Sequence, residues 1–137
     1  MNKIRPTSLL IVRSKDKLFV YKVNDKIKKE EFYRLLGGGI EFGETAEDAL
    51  RREIKEEIGA GIKNIRLLDV KENIYTFEGE AGHEIVFIFE AKFKDKEFYN
   101  KNNLEVKDRK KGRKAVWVEI KELRKSRFYP EGVIDLI

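Results

Sequence analysis

The chain has 137 residues, 41% of them hydrophobic and 40% charged, with a formal net charge of +5; this length fits one domain whose core can stand without cross-links, and a basic balance attracts polyanions such as nucleotides and nucleic acid. There is no cysteine and a single histidine, His83, which excludes disulfides, thiolate metal sites and multi-histidine zinc sites, so any metal must be held by oxygen, as suits a hard cation such as Mg²⁺ or Mn²⁺. No apolar run approaches the ~20 residues that cross a bilayer, and the first residues lack the apolar stretch of a signal peptide, so a cytoplasmic protein with no membrane partner is expected.

Taken in chain order, Ser8 to Val12 and Lys17 to Val23 are rich in strand formers, and Ser14-Lys15-Asp16 supplies the turn of a hairpin. Asn24 to Glu31 reads as a charged loop. Phe32 to Leu36 reads as a strand ending at Gly37-Gly38-Gly39, where three glycines mark a backbone that turns sharply or approaches something closely. Thr45 is a good helix N-cap, with Glu47 and Asp48 in the first turn, where the helix dipole favours acids. Ala46, Leu50, Ile54 and Ile58 then form an apolar stripe with Ala49 beside it, and Gly59 ends the helix.

Two longer strands follow, Ile65 to Phe77 and Glu84 to Phe93, joined at Gly79 to Gly82. In the second, Ile85, Phe87, Phe89, Ala91 and Phe93 alternate onto one face. Lys94 to Lys114 reads as a charged loop and Ala115 to Ile120 as a strand in which Trp117 packs into the core. A short helix is expected beyond Pro130, a residue suited to a first helical turn. Strands on both sides of one strong helix predict an α/β (α+β) fold, a mixed sheet packed by helices.

One feature of the strong helix runs against its stability. Glu53, Glu56 and Glu57, spaced by three and four, share one surface, and like charges so placed cost about 0.2–0.5 kcal/mol per pair. Glu56 and Glu57 also lie in the last turn, where the dipole disfavours anions by about 0.3–1 kcal/mol. Local choices that oppose stability gather where function requires them. A divalent cation over the cluster would offset the repulsion; the ordinary reading is that the acids are solvated or paired with Arg51, Arg52 or Lys55.

The surrounding residues sharpen the choice. Gly38 to Ala60 reads Gly-Gly-Ile-Glu-Phe-Gly-Glu-Thr-Ala-Glu-Asp-Ala-Leu-Arg-Arg-Glu-Ile-Lys-Glu-Glu-Ile-Gly-Ala, which resembles the Nudix box. Gly38, Glu44, Arg52, Glu53, Ile54, Glu56, Glu57 and Gly59 match its pattern, whereas Ala60 is smaller than the usual final aliphatic residue and Leu36 stands where many members carry proline. The resemblance implies a mixed sheet sandwiched between helices and Mg²⁺-dependent (Mn²⁺ as substitute) hydrolysis of a diphosphate linkage in a nucleotide-like substrate. It implies Glu53, Glu56, Glu57 and the Gly37 carbonyl as metal ligands, Glu53 and Glu57 as catalytic groups, and a Glu44–Arg52 pair that holds loop against helix.

A further acid before the tryptophan-bearing strand serves many relatives as base or ligand. Here Glu97, Glu105 and Asp108 stand in that loop, and Glu105 is the choice. Tyr33 and Phe42, with Tyr75, are aromatics that could stack on a base, while His83 reads as a surface residue. The basic runs Lys26 to Lys29 and Lys107 to Lys114 read as solvated loop charge rather than an RNA contact. Candidate substrates are nucleoside triphosphates, ADP-ribose-like sugars, dinucleoside polyphosphates and capped or triphosphorylated RNA 5′ ends; a homodimer is left open. The competing reading is a nucleotide-sensing or RNA-binding module on the same fold.

Overall fold

The structure, a computed structural model, describes residues 2–107 and 113–137. In chain order its elements are β1 (Ile4–Ile11), β2 (Arg13–Ser14), β3 (Lys17–Asp25), β4 (Glu30–Gly39), α1 (Ala46–Ile58), β5 (Ile62–Phe77), β6 (Glu80–Phe93), a 3-10 turn (Lys96–Asn100), β7 (Leu104–Glu105), β8 (Lys114–Glu119), α2 (Ile120–Lys125), β9 (Phe128–Tyr129) and a last 3-10 turn (Val133–Leu136). Among the described residues the strands join in the order β5-β6-β1-β4-β3-β8-β7, with β2 added to β3 and β9 to β4. The β1–β6 and β4–β9 pairs are parallel and β3 pairs antiparallel with β4 and β8, so the sheet is mixed as expected. β4 is shared along its length: residues 30–35 pair with β3 and residues 36–39 with β1.

Alternation along β1 shows why the sheet is covered twice. Leu10 and Val12 join a core cluster with Leu50 and Ile54 of α1, whereas Leu9 and Ile11 join a second cluster with Ile120 and Leu123 of α2. Successive strand residues point to opposite faces, so a helix packs on each. Leu50 and Ile54 are fully buried, and each side chain of this size contributes about 1.5–3 kcal/mol when removed from water.

The caps of α1 are those expected. Thr45 Oγ1 accepts the Asp48 N–H at 3.1 Å, and Gly59 adopts φ +72° while its N–H donates to the Lys55 carbonyl. Ser8 Oγ donates to the Ala46 carbonyl at 2.7 Å and ties the helix start to β1.

Several boundaries move, each for a tertiary reason. Pairing with β6 carries β1 back to Ile4. Half of the charged stretch after Val23 is strand, with Asn24 opposite Glu31 and Asp25 opposite Glu30, around a turn at residues 26–29. The buried Asp25 carboxylate accepts the N–H groups of Ile27, Lys28 and Glu78, and these bonds, Glu78's first, hold its pKa below the usual value. The β5–β6 turn is the two residues Glu78 and Gly79, at φ +50° and +82°, which suits a hairpin whose central residues both need positive φ.

The glycine run is a strand rather than a turn, with Gly37, Gly38 and Gly39 opposite Leu9, Ser8 and Thr7. Within the expected loop, Phe98 is buried and Leu104–Glu105 pairs with β8. Ile120 opens α2 instead of ending the preceding strand, and the last turn starts at Val133, past Pro130. Asp108 and part of the second basic run lie outside the described residues. Among the described residues no helix is long and apolar enough to cross a membrane.

Candidate active site

Close packing explains the glycine ribbon. At Gly37, φ is +136° and an added Cβ would lie 2.0 Å from the Ser8 carbonyl oxygen. At Gly38 a Cβ would lie 2.5 Å from the Glu53 carboxylate. The ribbon therefore lies directly under the helix acids, the close approach that three glycines suggested.

Arg52 organises the junction between loop and helix. Its Nε and Nη2 donate to the two Glu44 oxygens at 2.7 and 2.9 Å, a bidentate pair, and Nη2 also donates to the Gly39 carbonyl at 3.0 Å. Nη1 donates to Glu53 Oε1 at 2.9 Å and to Glu56 Oε2 at 3.3 Å. Two of the crowded acids are thus partly offset by one guanidinium, while Arg51 turns away to Glu47 and the Ile62 carbonyl. The Arg52 bonds, helped by the Glu41 N–H and opposed by burial, hold the Glu44 carboxyl down at a pKa of about 2. The same contacts, Glu44's first, raise the pKa of Arg52.

Gly37, Arg52, Glu53, Glu56 and Glu57 line one open cleft of about 790 Å³, a size suited to a nucleotide-scale ligand. Arg5, Arg34, Lys107 and Arg113 bring positive charge to the same cleft, and Glu41 and Glu84 line it as well. Glu57 is 4% exposed, and its backbone carbonyl accepts the Lys107 N–H at 2.9 Å, which docks the segment after β7 on the end of α1. Among the described residues no three acidic or histidine side chains converge on a single point: Glu53 and Glu56 each give an oxygen to Arg52. In donor chemistry, however, the set is oxygen throughout and fits a hard divalent cation.

Three expected site residues are not brought to this cleft. Glu105 is exposed on β7, opposite Lys114. Phe42 projects fully into solvent from the loop before α1. Tyr33 packs against the second core cluster, because its neighbours Phe32 and Arg34 take the other face of β4. His83 lies within β6 between Ile4 and Ile74, half-buried. Trp117 packs on Phe19 and Tyr99, as expected of core.

The structure adds groups that the reading of the sequence missed. Arg34 interrupts the face of β4 that carries Phe32 and Leu36, and Glu84 stands two residues before the buried Val86 on the same face of β6. A charge inside an apolar alternation was the available signal. Both residues, with Arg113, also border a narrow slot of about 80 Å³ walled by Phe32, Tyr75, Phe77 and Tyr129. Burial first, and then the charge of Glu84, raise the pKa of Tyr75.

A mixed sheet between helices, with an acid-bearing helix over a glycine ribbon, defines an α/β sandwich. The NUDIX domain family matches residues 3–134, and the chain belongs to it. Among solved structures it is similar to the MutT NUDIX hydrolase from Burkholderia pseudomallei, with a TM-score of 0.70 and 19% identity over 97% of this chain and 96% of that one. It is also similar to a NUDIX hydrolase from Nitrosomonas europaea, with a TM-score of 0.69 and 18% identity over 98% and 86%. A curated relative, the NAD-capped RNA hydrolase NudC of Photobacterium profundum, is 33% identical over 64 residues, which span 47% of this chain and 23% of that protein.

Proposed function

We propose that the chain hydrolyses the diphosphate linkage of a nucleoside diphosphate joined to a further group, in a reaction that requires Mg²⁺ and accepts Mn²⁺. The observation that carries this reading is that Glu53, Glu56, Glu57 and Gly37 line one cleft together with the cationic Arg5, Arg34, Lys107 and Arg113. Those three carboxylates and the Gly37 carbonyl would hold the ion. An ion held there would supply charge neutralisation at the phosphates and a more acidic water.

The chain's own groups account for the rest. Arg5, Arg34 and Lys107 attract the phosphate oxygens across the cleft, and Arg52 fixes the orientation of Glu53 through its 2.9 Å bond. A carboxylate of the trio, Glu53 or Glu57, takes the proton from the attacking water. Glu105, exposed on β7, does not line this cleft.

The test is product chromatography over a panel of nucleoside triphosphates, ADP-sugars, dinucleoside polyphosphates, NAD and capped RNA, with Mg²⁺ and with chelator. The similarity to NudC supports including the last two. Cleavage of at least one member, lost on chelation, is expected. Binding without cleavage of any member would favour the nucleotide-sensing module instead.

A further inference from the structure

We propose that Glu84 reads the sugar of the substrate by accepting hydroxyl hydrogens from a ribose 2′,3′-diol, so that the enzyme prefers ribonucleotides to their deoxy counterparts; this rests on the diphosphate-hydrolase reading above. Glu84 is 6% exposed and sits on a strand face that continues as Val86 and Ile88. A carboxylate is costly to bury without partners. Among the described residues it has no hydrogen bond or ion pair, although Arg5 on β1 and Asn73 on β5 are its register neighbours. Its oxygens are not among the fully buried atoms that lack a partner, so they open onto the adjoining cavities, where a donor can be supplied from outside.

Position identifies that donor. Glu84 borders both the cleft over the α1 acids and the aromatic slot. With the diphosphate in the cleft and a flat base against Phe32, Tyr75 or Phe77, the unit left at the junction is the sugar. A phosphate there would be repelled by the carboxylate. Adjacent hydroxyls, in contrast, are neutral donors, and an ionised carboxylate has two acceptor-only oxygens with which to take both. Asn73 lines the same slot next to Glu84 and offers an amide to the same hydroxyl pair. An acid bonded to ribose hydroxyls is a recurrent solution in nucleotide sites.

With the substrate covering Glu84, removing one hydroxyl leaves half of the acceptor unsatisfied, which corresponds to a loss of about 10- to 100-fold. The experiment compares kcat/KM for matched ribo- and 2′-deoxynucleotides in the wild type and in Glu84→Gln, with melting temperature as the folding control. Titration calorimetry with ADP and 2′-deoxy-ADP runs in parallel. The wild type is expected to prefer the ribo form by about 10- to 100-fold, and the variant to bring the two within about threefold, chiefly through loss of the ribo substrate. Equal use of both sugars by the wild type would overturn the proposal. So would an equal loss on both sugars together with a missing acid limb in the pH profile, which would make Glu84 a base. If no linkage is cut, the hydrolase reading fails, and the calorimetric preference still decides the sugar inference. If Glu84→Gln does not fold, the wild-type sugar preference decides it.

Discussion

Gly38→Ala separates the demands of the site from those of the fold. An alanine Cβ would lie 2.5 Å from the carboxylate of Glu53, and ordinary contact begins near 3.4 Å, so the carboxylate must retreat by about 0.9 Å. The obstacle is the far end of a flexible side chain, and Gly38 is not among the positive-φ residues. The backbone therefore accepts the methyl group, and the melting temperature should stay within about 4 °C of wild type. Turnover should not survive so easily, because a shift near 1 Å in a positioned group can cost ~100-fold, and the 2.9 Å bond from Arg52 would be disturbed as well. Steady-state kinetics at saturating Mg²⁺ and a thermal melt are the assays. Gly37→Ala is the contrast, since its Cβ would meet the Ser8 backbone at 2.0 Å with φ at +136°, and a loss of about 2–4 kcal/mol is expected there. Wild-type turnover in Gly38→Ala would refute the idea that Glu53 works from the place it holds.

Further outcomes follow from the same geometry. Glu57→Gln should lose at least ~100-fold in Mg²⁺-dependent turnover, with metal-free stability equal or higher because one of three like charges on the helix surface is removed; a clearly destabilised variant would give the carboxylate a structural role. Glu44, held down from 4.5 to about 2 by Arg52, contributes stability that is complete above pH 4.5 and is lost as pH falls towards 2. Urea melts should therefore show Glu44→Gln less stable than wild type at neutral pH, with the gap closing across that window; a gap constant down to pH 2 would exclude the pairing. Phe42→Ala should change stability by less than ~0.5 kcal/mol and KM by less than about twofold, because the ring touches only solvent. A tenfold rise in KM would place Phe42 on the substrate.

What could be read in the chain was what local physics sets. The Thr45 cap, the Leu50 and Ile54 stripe and the Gly59 stop lie within one helix, and the acids on it are related by helical spacing alone. The alternation from Phe87 to Phe93 was legible for the same reason. What escaped depends on strands meeting across long separations. The glycine run looked like a turn because its partner, Leu9 in β1, is remote in sequence, and α2 is only six residues long. Glu84 and Arg34 acquire a shared site only when β6 and β4 flank β1. Tyr33 does not line the cleft, whereas its neighbour Arg34, on the other face of β4, does.

The central claim is that Mg²⁺ is what keeps Glu53, Glu56 and Glu57 together at the negative end of α1. Crystals grown with Mn²⁺ and a non-hydrolysable nucleotide analogue test it through anomalous difference density. A peak contacting at least two of these carboxylates is predicted. A well-ordered analogue in the cleft and no peak beside the helix would contradict the account.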